Sequence, residues 1–130
     1  AAVAIPAYQN YTLKAKFTEV IGVAAPYKLA IDLCVQDGTC LNAAGTGFDA
    51  TRVVLGNQAS NIPAAPTASK YVAATGLALT AATGVITVTP IAAEGLLATD
   101  TYVITPTIAG GRVTWAVSGG CKTRSAGTIC

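Results

Sequence analysis

The chain has no histidine and no methionine among its 130 residues. Without histidine, neither a Ser-His-Asp triad nor a Cys-His pair can be assembled. Charge is scarce as well: Asp, Glu, Lys and Arg make up 11%, against an average of about 25%. So sparsely charged a surface repels copies of itself only weakly. The acidic residues Glu19, Asp32, Asp37, Asp49, Glu94 and Asp100 are scattered and form no spaced pair of the kind used in glycoside hydrolysis. A net charge of +2 is too small to argue for nucleic acid. Phosphate-cradling loops, dinucleotide fingerprints and Asp-rich calcium loops are missing. No run of about 20 apolar residues occurs, so the sequence as it stands carries no membrane-spanning helix. Ala1–Ala7 is apolar but too short for a span or a signal peptide. The expectation is a protein that is not an enzyme, with no catalytic residue, cofactor or metal site.

What remains is apolar and small. Apolar residues are 52% of the chain, with Ala prominent, so the core is built from small side chains. The length fits one domain, residues 1–130. Residues 1–36 read as one long helix. Phe17, Val20, Ile21, Ala24, Tyr27 and Ile31 recur at spacings of three and four and share a face. Gln9, Asn10, Thr12, Lys16 and Glu19 lie mostly off it. A helix of this length extends roughly 50 Å, whereas a domain of this size is roughly 28 Å across. One end therefore projects, and the apolar start makes Ala1–Tyr11 the end expected to do so. Pro6 and Pro26 interrupt the helix. The apolar spacing runs through Pro26 without a phase break, which favours one kinked helix over two separate ones.

The four cysteines stand as Cys34-x5-Cys40 and Cys121-x8-Cys130. Three pairings are possible. Local pairing is expected because each pair then closes a short Gly-containing loop. Disulfides place the chain in an oxidising compartment. A four-cysteine zinc site is the competing reading, and neither spacing matches the two to four residues of a zinc ribbon.

Residues 37–69 read as a connecting loop rich in Asn, Ala, Gly, Pro and Ser, with one strand-like run at Arg52–Leu55. From Lys70 the period changes to two. Lys70–Leu79, Gly84–Thr89, Thr101–Thr107 and Gly111–Val117 are β-prone, which makes residues 70–118 a four-stranded antiparallel meander packed on the helix. Val72, Leu77, Leu79, Ile86, Val88, Val103 and Trp115 are candidates for its buried side. Pro106 suggests an edge position or a strand end. Ala109-Gly-Gly111 and Ala81–Gly84 read as turns. Residues 119–130 form a loop closed on itself. The fold class is α+β.

The IPAYQNY motif at Ile5–Tyr11, within AxAIPAYQNYTLKAKFTEV, leads into an Ala-rich helix with a second proline. Together with the Trp in RVTWAVSGGC and the cysteine-closed end, it resembles the part of a bacterial type IV pilin just after the membrane-inserting segment. The resemblance implies that the natural chain continues upstream with an apolar segment beginning in an N-methylated Phe, and that the present sequence is a truncated soluble form. It implies a structural subunit, held in the inner membrane before assembly and then moved by the assembly machinery into a homopolymeric extracellular filament. Adhesion, twitching motility and DNA uptake are its implied roles, with host-surface glycans or DNA as candidate ligands. Two alternatives in the same fold are a minor pilin acting as a DNA receptor and a pseudopilin of type II secretion. A DNA receptor needs a basic stripe, for which Lys70, Lys122, Arg124, Arg52 and Arg112 are the available cations. The major pseudopilins carry a calcium site where this chain has Cys121 and Cys130. In the loop closed by those cysteines, Lys122 and Arg124 are expected to be solvent-exposed and to form an interaction edge.

Overall fold

The computed structural model describes residues 4–130, with side chains from Tyr8 onward. A single helix, α1, runs from Ala4 to Asp37. At about 1.5 Å per residue its 34 residues extend roughly 51 Å. It passes through Pro26 without a break. Proline removes the bond to the carbonyl four residues back, which here belongs to Gly22. Both Gly22 and Pro26 are exposed, so water can satisfy that carbonyl. A Cβ at Gly22 would meet nothing within 4 Å. For Pro6 only the helical backbone is described, and the first three residues of the expected projecting end lie outside the described residues.

Four antiparallel strands follow in sequence order: β1 (Leu77–Leu79), β2 (Ile86–Val88), β3 (Tyr102–Ala109) and β4 (Arg112–Ser118). The chain thus has an α+β fold, a long N-terminal helix on a four-stranded meander. Gly110 and Gly111 join β3 to β4 with φ of 58° and 74°. Two consecutive positive φ values make the primed turn that matches strand twist.

Several strand expectations change. The Lys70–Leu79 run is a strand only at its end, because a turn closes by the Gly76 N–H donating to the Ala73 carbonyl (2.9 Å). A Cβ at Gly76 would approach the Val72 side chain and the Thr89 carbonyl within 3 Å, so the chain doubles back where only glycine fits. Arg52–Leu55 is not a strand; it is a turn that inserts the fully buried Val53. Pro106 is neither at a strand end nor in an outer strand. It lies mid-β3 opposite Trp115, but β2 pairs only with Tyr102–Ile104, so that flank of Pro106 has no strand beside it. Phe48 and Gly84 approach there instead.

Phe17, Val20, Ala24, Tyr27 and Ile31 are buried on the inner face of α1. Ile21, expected with them, is only half-buried at the margin. Val72, Leu77, Ile86, Val88 and Ile104 complete the core. Register sets Ile104, not Val103, on the buried side: Ile104 pairs with the fully buried Ile86, and Val103 is only partly buried. The Phe17 and Tyr102 rings meet edge to face, 6.2 Å apart. Cys34–Cys40 and Cys121–Cys130 are disulfides, with Cα atoms 5.3 and 5.6 Å apart.

Phe17→Ala is expected to destabilise the chain by about 3–5 kcal/mol, since a large side chain leaves a close-packed site. Gly22→Ala is expected to stabilise it by up to about 1 kcal/mol through helix propensity alone. Urea unfolding of the two variants measures both, and a neutral Phe17→Ala would contradict the packing.

Candidate functional site

Two ends of the molecule carry distinct chemistry. At the far end of α1, the Cys34–Cys40 bond ties the helix to the departing loop. Asp37 Oδ1 accepts from the Thr39 backbone N–H (2.9 Å) and hydroxyl (2.7 Å). Asp49 repeats the pattern with Thr51 at 2.8 and 2.6 Å. These hydrogen bonds favour the charged form and hold both carboxyls below their ordinary pKa, the hydroxyl bond contributing most. Leu29 and Leu33, one helical turn apart, stand out in solvent beside Arg112 and Val113.

The half-buried Trp115 links helix and sheet. Its indole N–H donates to Asp32 Oδ1 at 2.8 Å, and Lys28 lies 5.9 Å from the ring centre. Asp32 and Lys28 are four apart on α1, so one face of one turn presents both partners to the ring.

The other end is built around the first turns of α1. The loop before β3 and the chain's C-terminal loop both fold against it. Glu94 is the hub of the first contact. The Tyr71 hydroxyl donates to Glu94 Oε2 at 2.5 Å, and Lys70 Nζ lies 3.5 Å from the same oxygen. Lys16 Nζ donates to the Glu94 carbonyl at 3.0 Å. The Tyr71 hydrogen bond and then the Lys70 charge lower the Glu94 pKa. The same hydrogen bond raises that of Tyr71. Glu94 and Gly95 both have positive φ, 53° and 92°. A Cβ at Gly95 would press on Leu13 at 3.0 Å, so glycine lets this loop reach the helix.

Asp100 fastens the C-terminal loop. It is 2% exposed and accepts from Leu97 N–H at 2.8 Å and from the Arg124 guanidinium. Arg124, expected in solvent, has a side chain only 15% exposed and committed to Asp100. The exposure expected of Arg124 is therefore not met, and its charge is committed within the fold. The physical reason is that a buried carboxylate must be paired, and Arg124 is the cation within reach. Lys122 is exposed, at the end of a short 3-10 turn, Gly120–Lys122. Gly119 and Gly120 give this turn its place: a Cβ on either would collide with the Thr101 and Thr99 carbonyls.

The five cations named for a basic stripe do not converge. Arg52 donates to the Thr39 carbonyl and Arg112 lies beside Leu33, both near the Cys34 end. Lys70 and Arg124 are ion-paired near the other end, with Lys122 in the same C-terminal loop as Arg124. The anchors that sequence reasoning missed are Asp100 and Glu94. Asp100 had a weak local signal, a carboxylate three residues after the backbone N–H it caps. Neither long-range partner leaves a periodic trace.

Arg124→Ala is expected to cost about 3–5 kcal/mol, because it strands a buried carboxylate. Lys122→Ala should stay within about 0.5 kcal/mol. The Glu94 pKa is lowered by folding, so its contribution is complete above its unfolded value of about 4.3. That contribution disappears as pH falls through the lower folded value. Glu94→Gln should flatten this part of the acid side of a stability–pH profile, measured by urea midpoints.

A family model described as pilin (bacterial filament) matches residues 14–130. The chain is 54% identical over 39 residues to the type IV pilus subunit protein TapA of Aeromonas hydrophila, covering 29% of this chain and 28% of that protein. It is 33% identical over 88 residues to the prepilin peptidase-dependent protein D of Escherichia coli K12, covering 68% of this chain and 49% of that protein. The matched stretches thus span half or less of these curated relatives. No solved structure matches the chain. On the extent of the family match, which takes in most of α1, the whole sheet and both disulfides, the chain belongs to the pilin family of bacterial filaments.

Proposed function

We propose that the chain is a structural subunit of a type IV pilus and acts by assembly rather than catalysis. The observation that carries this reading is the seating of α1. One face is locked to the sheet, while Tyr8 and Tyr11 on its first turns stand 74% and 77% exposed. A helix that is apolar but uncovered over part of its surface suits a subunit whose neighbours complete its burial. The match to a type IV pilus subunit supports the same reading.

In this account an apolar segment upstream of Ala1 anchors the subunit in the inner membrane. The name of the E. coli relative supports processing by a prepilin peptidase. Assembly machinery then draws subunits into an extracellular filament used for adhesion, twitching motility and DNA uptake. Surface glycans and DNA are the ligand classes such a filament meets. Cations that are ion-paired or lie at opposite ends give the DNA-receptor reading no specific support. The Cys121–Cys130 loop supports a pilus subunit over a secretion pseudopilin, whose major members have a calcium site in that place.

Deletion of the gene is expected to remove surface filaments seen by electron microscopy, and complementation to restore them. Intact filaments with lost DNA uptake would instead make this a minor, receptor-type subunit.

A further inference from the structure

The two edges of the sheet are unlike. β1 is three residues long, too short to be a template for another strand. β4 is seven residues long, and among the described residues no strand pairs with its outer side. Its sequence, RVTWAVS, has no proline and no lysine, and its register against β3 runs without a bulge. Those are the usual devices that keep an edge from pairing.

Pro106 shows which backbone groups face outward. Proline has no N–H to give, so its pair with Trp115 is a wide, non-hydrogen-bonded one. The two-residue turn at Gly110 and Gly111 sets the same phase, because its closing pair, Ala109 with Arg112, is narrow. Trp115 and its alternates Val113 and Val117 therefore turn their N–H and C=O groups away from β3. Among the described residues no backbone group bonds to them there. Their side chains share the face toward α1, where Trp115 bonds Asp32. Val117 is 38% exposed on that face. Leu29 and Leu33 stand uncovered beside the other end of the edge, in a groove shared with Arg112 and Val113.

We propose that a second copy of this chain adds its own β4 to this edge, antiparallel, about a two-fold axis at Trp115. In that register Val113 lies opposite the partner's Val117, and Trp115 opposite its own copy. These are narrow pairs, so the joint carries on the order of six backbone hydrogen bonds, two per pair. Arg112, the strand's one charge, falls opposite Ser118, so no like charges meet. A slip of one residue loses the hydrogen-bonding phase, and a slip of two leaves residues unpaired at both ends. β4 is thus its own best complement. The partner's Val117 comes down beside Val113, where Leu29 and Leu33 stand uncovered, and the two sheets become one.

A two-fold axis through a sheet edge reverses everything lying on the sheet, so the two α1 helices run in opposite directions. Subunits held in one membrane with parallel helices cannot meet this way. The contact belongs between copies of opposite direction, as in filaments lying side by side with opposed polarity. That place in the cell rests on the proposed function, whereas the pairing of two chains does not. Loss of pairing and loss of filaments are therefore separate results.

The test is sedimentation velocity of the 130-residue chain over a concentration series, with hydrogen exchange at both extremes. A monomer–dimer equilibrium is expected, with the Val113, Trp115 and Val117 amides protected only as dimer forms. Val117→Pro removes an outward N–H without touching a bond to β3, and should weaken the dimer at least about tenfold. Lys14→Gln, far from the edge, should leave it unchanged. Mixing Thr114→Cys chains with Ala116→Cys chains should give a disulfide between copies, because the register sets these positions opposite in a wide pair. Thr114→Cys alone should not cross-link. The cross-link carries the test should Val117→Pro fail to fold. A chain that stays monomeric throughout overturns the proposal. So does a dimer that Val117→Pro leaves intact, a cross-link with Thr114→Cys alone, or protection that appears at Tyr8 and Tyr11 instead, which would make the start of α1 the contact.

Discussion

Phe17, Val20, Ala24, Tyr27 and Ile31 bury one face of α1 beneath the sheet, and the rest of the structure depends on that contact. Each larger apolar side chain contributes about 1.5–3 kcal/mol on leaving water. The strands need the helix as much as the helix needs them. β1 and β2 are three residues each, too short to persist as a hairpin alone. The helix is also longer than the surface that covers it. That excess length, set by geometry, leaves the turns at Tyr8 and Tyr11 in solvent.

Polar ties then fix what burial alone leaves loose. Trp115 to Asp32 sets β4 against the helix, and Tyr27 donates to the Ala64 carbonyl at 2.6 Å, holding the connecting loop down. The two disulfides sit at opposite ends. One stops the helix and the other closes the chain's last loop, each contributing about 2–3 kcal/mol mainly by restricting the unfolded chain. Asp100 with Arg124 seats that last loop from within. It spends a cation that would otherwise face outward, so Lys122 alone carries the loop's exposed charge.

The long helix and the meander were legible because periods of 3.6 and two report directly on which side chains share a face. The continuous reading through Pro26 followed from unbroken phase, and the structure adds that Gly22 and Pro26 both lie exposed, where water can satisfy the freed carbonyl. Other features were hidden for physical reasons. Alternation over Lys70–Gly76 did not make a strand, because Gly76 reverses the chain and strands need a partner. Pro106 was readable only as an edge signal; that a strand's neighbour ends before the proline is a fact of register. The pairing of Asp100 with Arg124 joins residues 24 apart, and nothing in either local stretch selects the other. Of the site, the projecting start of the helix was visible in sequence, because a helix of this length outruns the width of the domain. The loops that fold against it at Leu13 and Asn10 were not.

The helix α1 is one element, locked over part of its length and uncovered at Tyr8 and Tyr11. Native-state hydrogen exchange along the helix measures this directly. Amides from Phe17 to Val35, apart from those bordering Pro26, should exchange only through global unfolding, and those from Tyr8 to Leu13 through much cheaper local opening. A break in protection that divides the helix into two independent units at Pro26, or full protection from Tyr8 onward in the isolated chain, would contradict it.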